Sequence, residues 1–386
     1  MDGWDFSTQL DEIKQQQLYR SHQLIQGPQG AQVDIEGALY DNFSSNDYLG
    51  LANHPEVIAA FKRAADQYGV GSGSAHLICG HSYEHAALEE ELAAFTGRDR
   101  VLLFSTGYMA NLGVISALIN KKDDLFQDKL NHASLIDGGQ LSGARFRRYP
   151  HNNMMRLQQL LTQSTAEKKL IVSDGVFSMD GDAAELVSLV NIAKQSNAML
   201  MIDDAHGIGV LGKRGGGLLE QLELSQQQVP ILMATFGKAL GTAGAFVAGS
   251  HDLIEILIQR SRSYIYTTAM PAALMAATRA SLRLCQQESW RREKLASLIA
   301  QFRQGAQQLG LNLMPSDTPI QPVILASNQA VMSVSEQLRD ARILVGAIRH
   351  PTVPKRTERL RITLSSTHTE SQVNKLLSVL EKAIYA

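Results

Sequence analysis

The sequence has 386 residues, enough for about two domains, and its hydrophobic content of 44% is typical of a packed globular protein. Its 36 basic residues nearly balance its 38 acidic residues, so charge gives no reason to expect nucleic acid or an anionic membrane as a partner. Charged residues also interrupt the apolar runs well before the roughly 20 residues that a membrane span requires.

The start of the sequence and its cysteines add two expectations. M-D-G-W-D lacks the basic and apolar regions of a signal peptide, so we expect a cytoplasmic protein that does not bind membranes. Cys79 and Cys285 are too few and too far apart for a disulfide framework or a cysteine-built zinc site. We therefore expect two ordinary buried thiols and no bound metal.

The first part of the chain predicts an arm that precedes the core. Leu10, Ile13 and Leu18 have approximately helical spacing, and the G-P-Q-G that follows them ends a helix. V-D-I-E-G-A-L-Y then alternates between apolar and polar residues, which predicts a hairpin centred on Glu36 and Gly37.

Short apolar segments alternate with amphipathic helices over the next two hundred residues or so. The predicted strands are R-V-L-L-F, D-D-L-F-Q, A-R-F-R-R-Y, K-K-L-I-V-S, M-L-M-I-D-D, P-I-L-M-A-T and G-A-F-V-A, and the helices between them include one around Leu88 and Leu92. This order predicts an α/β protein with a mainly parallel sheet that is covered on both faces.

After about Leu284 the pattern changes. It predicts a long helix, the strands I-Q-P-V-I-L, I-L-V-G-A-I and L-R-I-T-L, and a last helix from Thr369, which together form a smaller α+β domain. We therefore divide the chain into an arm over 1–48, a large domain over 49–284 and a small domain over 285–386.

Ligands of open parallel sheets bind at the carboxyl ends of the strands, so the loops after the predicted strands are the candidate sites. S-T-G-Y-M-A-N follows R-V-L-L-F as a glycine turn that opens a helix, and such a turn binds anions, although an empty capped helix has the same pattern. A-T-F-G-K-A-L-G places Lys238 among small and apolar residues. That arrangement suits a dehydrated nucleophilic amine, and a solvated lysine is the ordinary alternative.

D-D-A-H-G-I-G-V-L-G allows three interpretations. The two aspartates after a strand resemble a magnesium-holding ATPase segment, but the chain has no G-x-x-x-x-G-K-[ST] loop. The glycines also match G-x-G-x-x-G, but K-R-G-G-G follows them where a dinucleotide site needs a helix. In the third interpretation, Asp203 is an anion at a strand end, with His206 beside it, that faces a cationic ring.

A zinc-protease pattern, H-x-x-E-H, occurs at His81 to His85. Five-residue matches of this kind arise easily by chance. The segment lies at the start of the helix that carries Leu88, and we expect Ser82 to be the N-cap of that helix.

The sequence supplies the four parts that a pyridoxal 5′-phosphate (PLP) site requires. Lys238 is the amine that binds the cofactor as a Schiff base, and Asp203 is the carboxylate for the pyridinium nitrogen. The segment from Ser105 to Tyr108 is the phosphate cradle, with Thr235 as a hydroxyl donor. His132, in L-N-H-A-S-L, follows another strand and can stack on the ring.

The motifs G-Y-M-A-N, N-H-A-S-L, D-G-V-F-S-M-D-G-D, D-D-A-H-G-I-G-V, T-F-G-K-A-L-G and A-I-R-H-P-T-V-P occur in an order that resembles the α-oxoamine synthases. These are a branch of the fold-type I PLP-dependent enzymes. The resemblance runs from Arg20 almost to the C-terminus and includes S-S-N-D-Y-L-G. It implies a PLP-dependent transferase of fold type I that condenses an amino acid with an acyl thioester. It also implies a homodimer with active sites shared between the subunits.

The resemblance assigns a role to each matching position. The residues assigned to the cofactor are Lys238, Asp203, His206, Ser178, His132, Gly107, Tyr108 and Thr235, together with Thr267 and Thr268 of the partner subunit. Arg349 is expected to bind the amino acid's carboxylate, and Arg20, Asn46 and Thr352 are expected to line the path of the acyl substrate. A solvated surface charge is the ordinary alternative for Arg20 and Arg349.

Two motifs favour one branch of the family. D-D-A-H-G-I-G differs from the D-D-S-H associated with a glycine-using branch, and I-R-H-P-T-V-P closely resembles the segment of the branch that condenses L-alanine with a pimeloyl thioester, although His350 stands where proline is expected. The thioester carrier is either coenzyme A or an acyl carrier protein. A branch that uses glycine or serine is the alternative, and a nucleotide-binding module is a remote one.

Overall fold

The computed structural model describes residues 4–15 and 18–385, which form two sheets with helices packed around them. The strands of the larger sheet are β4 (Arg100–Phe104), β5 (Asp124–Asp128), β6 (Arg145–Tyr149), β7 (Lys169–Asp174), β8 (Met199–Asp203), β9 (Ile231–Thr235) and β10 (Ala245–Gly249). Those of the smaller sheet are β1 (Ile25–Gln26), β2 (Gln32–Ile35), β3 (Ala38–Phe43), β11 (Ile320–Ile324), β12 (Ile343–Ile348) and β13 (Arg359–Thr363).

The helices of the first half are α1 (Phe6–Gln15), α2 (Pro55–Tyr68), α3 (Tyr83–Thr96), α4 (Gly107–Leu118), α5 (Ala133–Ser142), α6 (Met154–Thr162) and α7 (Leu186–Gln195), with a π-helical turn at His76–Gly80. Those of the second half are α8 (Gly217–Gln221), α9 (His251–Arg260), α10 (Arg262–Ile265), α11 (Ala272–Gln287), α12 (Trp290–Gln308), α13 (Asn328–Asp340) and α14 (Glu370–Tyr385). In the described part of the chain, no helix combines the length and apolarity needed to cross a membrane.

The larger sheet has the strand order β4-β10-β9-β8-β7-β5-β6. Strands β5 to β9 pair in parallel, and β10 runs antiparallel to both of its neighbours, β4 and β9. The prediction of a mainly parallel sheet is therefore confirmed. Because the parallel strands point the same way, the loops after β5, β7, β8 and β9 lie along one edge of the sheet.

Both faces of this sheet are buried over most of its strands, which explains why β4, β8, β9 and β10 are almost continuously apolar. In β8, Leu200 and Ile202 belong to one hydrophobic core, and Met201, between them, belongs to the core on the opposite face. Successive side chains of a strand point to opposite faces, so burial of both faces requires apolar residues at every position.

The smaller sheet joins the two ends of the chain. Its order is β1-β2-β3-β12-β13-β11, and β3 pairs in parallel with β12. The predicted hairpin is confirmed: Ile35 pairs with Ala38, and the two linking residues, Glu36 and Gly37, both have positive φ, as in a type I′ turn. Leu18 lies beyond the end of α1, and residues 16 and 17 are outside the described residues.

The division into an arm and two domains stays a prediction. Two observations bear on the expected boundaries without deciding them. The strands within 25–43 hydrogen-bond to the C-terminal part of the chain, and α11 continues through residue 284.

The start of α3 agrees with the sequence prediction. Ser82 is the N-cap, and its backbone N–H donates to Nδ1 of His85 at 3.1 Å. The other ring nitrogen of His85 contacts the carbonyl oxygen of Met270 at 2.8 Å. Both nitrogens of this histidine are thus engaged within the fold, which favours a structural role for H-S-Y-E-H.

The loop between β9 and β10 contains Lys238 and packs against the turn at 47–52. The Asp47 carboxylate holds that turn by accepting the backbone N–H groups of Leu51 at 2.9 Å and Ala52 at 3.1 Å. Gly241 has φ +63°, and a Cβ added to it would lie 2.3 Å from the backbone nitrogen of Ala52. Only glycine allows two backbones to approach this closely.

We expect Gly241→Ala to lower the free energy of unfolding by about 2 kcal/mol or more, because it adds left-handed strain and a backbone clash. Gly237→Ala is the matched control in the same loop, since its Cβ would meet the nearest atom, the Thr242 carbonyl oxygen, at 3.6 Å. Denaturant titrations of the parent and both variants test this. Equal midpoints for the two variants would contradict it.

Candidate active site

Acidic residues end three neighbouring strands of the larger sheet. Asp128 ends β5, Asp174 ends β7 and Asp203 ends β8, and Asp174 and Asp203 are paired across the ladder. Asp203 is buried and accepts a hydrogen bond from Asn111 Nδ2 at 2.8 Å and one from the Ala205 N–H at 3.1 Å. These two hydrogen bonds fix the orientation of the Asp203 carboxylate at the end of β8.

Lys238 lies in the loop after β9, on the same edge of the sheet. Burial lowers the pKa of its amine to about 8, although the carboxyl groups of Asp203 and Asp174 act in the opposite direction. Arg361 lowers this pKa further by charge repulsion. Desolvation is thus the larger effect, and it favours the neutral, nucleophilic form of the amine.

Two further carboxyl groups at this edge, those of Asp174 and Asp204, favour their neutral forms. Burial, followed by repulsion from Asp203, raises the pKa of Asp174 well above its usual range. Burial raises the pKa of Asp204 to about 8, against the hydrogen bond that its side chain accepts from the Leu218 N–H. Burial thus favours the protonated form of both Asp174 and Asp204.

A chain of hydrogen bonds joins His132 to Asp203. His132 Nδ1 contacts Ser134 Oγ at 2.7 Å, and Asn111 Nδ2 donates both to Ser134 Oγ and to Asp203 Oδ2, each at 2.8 Å. His132 Nδ1 also accepts the Ser134 N–H at 3.3 Å, which assigns the ring proton to Nε2. Burial, with repulsion from Lys238, lowers the pKa of His132, so its imidazole is neutral near pH 7.

Gly107, Tyr108 and Thr235 lie together at the N-terminus of α4. Thr106 caps this helix, and a Cβ added to Gly107 would lie 3.9 Å from the Cβ of Thr235. The Tyr108 ring is partly exposed and stands edge-on to His132, with ring centroids 6.3 Å apart. Backbone N–H groups at such a helix end form an anion site.

A second hydrogen-bond network surrounds His206. Its Nδ1 contacts Tyr48 Oη at 2.7 Å, and Tyr48 Oη in turn contacts Asn46 Oδ1 at 3.2 Å. Arg361 Nη2 donates to the same Asn46 oxygen at 3.2 Å, and Arg361 Nε donates to the Ser178 carbonyl oxygen at 2.6 Å. The structure therefore brings three predicted residues, His206, Asn46 and Ser178, together around one guanidinium group.

Arg361 is a residue that sequence reasoning missed. Its side chain is buried, and within the described residues no carboxylate lies within ion-pair distance of it. The charge of Arg361 lowers the pKa of both Lys238 and His206. The available signal was an arginine within the apolar strand L-R-I-T-L, because a charged residue in a buried strand requires a specific partner.

Three predicted substrate residues line one cavity of about 640 Å³. They are Arg20, Arg349 and Thr352, and Arg339 lines it as well. The described lining of this cationic cavity includes no aspartate or glutamate. Asn46 is not part of that lining and lies in the network around Arg361.

A second cavity, of about 670 Å³, is lined mainly by apolar side chains. His132, Ser178 and Thr352 also line this apolar cavity, so it adjoins both the histidine of the site and the cationic cavity.

In the described part of the single chain, neither Thr267 nor Thr268 forms a hydrogen bond with any of these groups. Thr268 forms an isolated antiparallel bridge with Ala75, just before α11. Their assignment to the partner's site stays a prediction.

Comparisons with known proteins give four findings. The family model described as aminotransferase class I and II matches residues 41–380. The chain is 59% identical over 371 residues to an 8-amino-7-oxononanoate synthase from Cellvibrio japonicus, covering 96% of this chain and 93% of the relative. A structure of SPT (serine palmitoyltransferase) with PLP superposes with a TM-score of 0.92 at 31% identity, covering 98% of each chain. A crystal structure of 8-amino-7-oxononanoate synthase from Francisella tularensis has a TM-score of 0.79 at 32% identity, covering 89% of this chain and 97% of that one.

The electrostatics of the site predict opposite effects of two substitutions on Lys238. We expect Asp203→Asn to lower the pKa of the Lys238 amine by about 1; the loss is partial, because removing the Asp203 charge also favours ionisation of Asp174. We expect Arg361→Met to raise it by a similar amount, because a repelling charge is removed.

The measurement is the pH dependence of Lys238 acylation in cofactor-free protein, followed by peptide mass mapping. Lys62→Met, on α2, is the control. Shifts in the same direction for the two active-site variants would contradict the described geometry.

Proposed function

Because the chain belongs to the class I and II aminotransferase family, and is a PLP-dependent enzyme of fold type I, we propose that it condenses L-alanine with a pimeloyl thioester. The products are 8-amino-7-oxononanoate, carbon dioxide and the free thiol, so the chain is an acyltransferase of biotin biosynthesis. The observation that supports this most strongly is the 59% identity, over 96% of the chain, to an 8-amino-7-oxononanoate synthase.

The residues of the site fit PLP. The Lys238 amine is desolvated, Asp203 is buried and hydrogen-bonded, and the N-terminus of α4 offers backbone N–H groups beside Gly107 and Thr235. When bound, PLP supplies a carbonyl carbon that bonds to amines and a ring that takes up the electron pair released from the amino acid's α-carbon. We propose that Lys238, Asp203 and these N–H groups hold it, with His206, Ser178 and Tyr108 around the ring and phosphate.

Lys238 is the proposed base of the reaction. Its Nζ removes the α-proton of alanine and returns a proton to the same carbon after loss of carbon dioxide. A pKa of about 8 leaves roughly a tenth of this amine neutral at pH 7, against well under a hundredth for an unperturbed lysine. Asp203 favours positive charge on the group that it faces, which stabilises the transition state of proton removal.

His132 is the proposed donor to the thioester. Its Nε2 carries the ring proton, because Nδ1 is engaged with Ser134, and a neutral imidazole can donate that proton in a hydrogen bond to the carbonyl oxygen under attack. The ring also lines the apolar cavity, which we propose receives part of the second substrate.

We propose Arg361 as the residue that binds the carboxylate of alanine. It lies close enough to Lys238 to change the pKa of the amine, and its hydrogen bonds go to an amide oxygen and a main-chain carbonyl oxygen, neither of which compensates its charge. Arg349, which the sequence pattern assigned to this role, lines the cationic cavity with Arg20 and Thr352. That cavity suits the terminal carboxylate of the pimeloyl chain.

The proposal includes a homodimer with shared active sites, in which the partner subunit's Thr267 and Thr268 lie near the cofactor phosphate.

An enzyme that uses glycine or serine is the second candidate, because the SPT fold match covers 98% of the chain at 31% identity.

Lys238→Ala tests the proposal most directly. The parent should be yellow, and borohydride should bleach it and couple the cofactor to Lys238, as peptide mapping will show. The variant should lose steady-state condensation because it lacks the base. The Lys62→Ala control should keep both properties. Retained turnover in Lys238→Ala would refute the assignment.

Product mass then distinguishes the two candidate substrates. Alanine, glycine and serine are each paired with a pimeloyl thioester. We expect alanine to give the highest kcat/KM, and preference for another amino acid would favour the second candidate.

Substitutions of Arg361 and Arg349 should change KM for different substrates. We expect Arg361→Met to raise KM for alanine by roughly 10- to 100-fold, the loss typical of a charge-assisted hydrogen-bond pair. Arg349→Met should change KM for the pimeloyl thioester and leave KM for alanine nearly unchanged. The reverse pattern would return the alanine carboxylate to Arg349.

A further inference from the structure

The lining of the apolar cavity includes three charged residues. Asp180 and Arg359 form an ion pair of 2.6 Å with each other, so together they add little net charge. The third is Lys129, whose backbone directly follows β5. Within residues 4–15 and 18–385, its amine has neither an ion pair nor a hydrogen bond.

A second cation is fixed beside Lys129. Arg148, in β6, is exposed, and its Nη2 donates to the main-chain oxygen of Lys129. No carboxylate of the described chain lies within ion-pair distance of Arg148. We call Lys129 and Arg148 the rim pair.

The acidic residues near the rim pair are engaged by other cations. Asp124 binds Arg145 at 2.6 Å, and the His151 ring lies between Asp128 at 3.1 Å and Asp182 at 2.7 Å. Hydrogen bonds to these two carboxylates raise the pKa of His151 to about 10 against the effect of burial, so it is cationic near pH 7. None of these carboxylates forms an ion pair with Lys129 or Arg148, so the two positive charges of the rim pair have no direct acidic partner among the described residues.

Two chains extend from the reacting carbonyl of the thioester substrate. The acyl chain ends in a carboxylate, and the carrier side is a pantetheine chain that ends in a phosphate. The cationic cavity carries arginines and suits the acyl carboxylate, so the apolar cavity remains for the carrier side. Lys129 precedes His132 by three residues, so their Cα atoms are at most about 10 Å apart. The rim pair therefore lies within the length of a phosphopantetheine chain from the reacting centre.

We propose that Lys129 and Arg148 bind the phosphate of the thioester's phosphopantetheine arm, with the arm lying in the apolar cavity. This inference rests on the proposed function. An arginine fork and a mobile lysine ammonium are the two side chains that bind phosphate most readily. The same phosphate occurs in coenzyme A and in the prosthetic group of an acyl carrier protein, and the rim pair recognises what the two carriers share.

Three thioesters of the same acyl group test the inference: pimeloyl-coenzyme A, a pimeloyl-acyl carrier protein, and pimeloyl-N-acetylcysteamine, which lacks the phosphate. We expect Lys129→Met and Arg148→Met each to lower kcat/KM about tenfold with both natural carriers, the double variant to lower it further, and the cysteamine thioester to be used equally well. Lys129→Arg should restore most of the loss. Lys62→Met, on the distant α2, is the matched control.

The remaining outcomes overturn the inference. Equal losses with the cysteamine thioester would indicate a general defect. A loss with the carrier protein alone would assign the rim pair to the protein's surface, and a loss with coenzyme A alone would assign it to the nucleotide phosphates.

A binding measurement separates this inference from the proposed function. Calorimetry of the PLP-loaded protein with free coenzyme A should show about tenfold weaker binding in each rim variant, while pantetheine without phosphate binds parent and variants alike. Equal binding of coenzyme A to parent and variants would refute the rim site even if condensation is observed. If no thioester is turned over, the proposed function fails, and the calorimetry still decides the inference.

Discussion

The structure depends on the desolvation of one amine beside buried carboxyl groups. Lys238 and Asp203 lie at one edge of a sheet whose two faces are covered, and each is costly to bury alone. Their mutual attraction offsets part of that cost, and burial keeps the amine pKa near 8. Parallel strands supply the geometry, because β8 and β9 end side by side and hold the acid and the loop with the amine in register.

Hydrogen-bond networks fix the groups around this pair. One runs from His132 through Ser134 and Asn111 to Asp203, and the other runs from His206 through Tyr48 and Asn46 to Arg361. Each ring is held by its Nδ1, so its remaining nitrogen is available to a ligand. Both histidines have lowered pKa values because of burial, which makes them neutral hydrogen-bonding groups and avoids additional cations beside Lys238.

Local patterns predicted the elements of the fold and the residues at strand ends. The large-sheet strands, the hairpin at Glu36–Gly37 and the cap at Ser82 depend on nearby residues, and all are present. The pairing of β3 with β12 joins segments three hundred residues apart, which spacing along the chain cannot show. Arg361 and Asn111 were missed for the same reason: each is a single polar residue in an apolar element, and only the folded chain shows what it faces.

The antiparallel strand β10 has a consequence for how the amine moves. Thr235 and Ala245 are paired, and the N–H of Phe236 binds the Gly244 oxygen at 2.9 Å, so the segment that carries Lys238 is closed at its base like a hairpin. A clamped base restricts displacement of the main chain. Reorientation of the Lys238 amine then requires rotation about the lysine's own methylene bonds, a motion of picoseconds to nanoseconds in an unhindered side chain, and no rearrangement of the sheet.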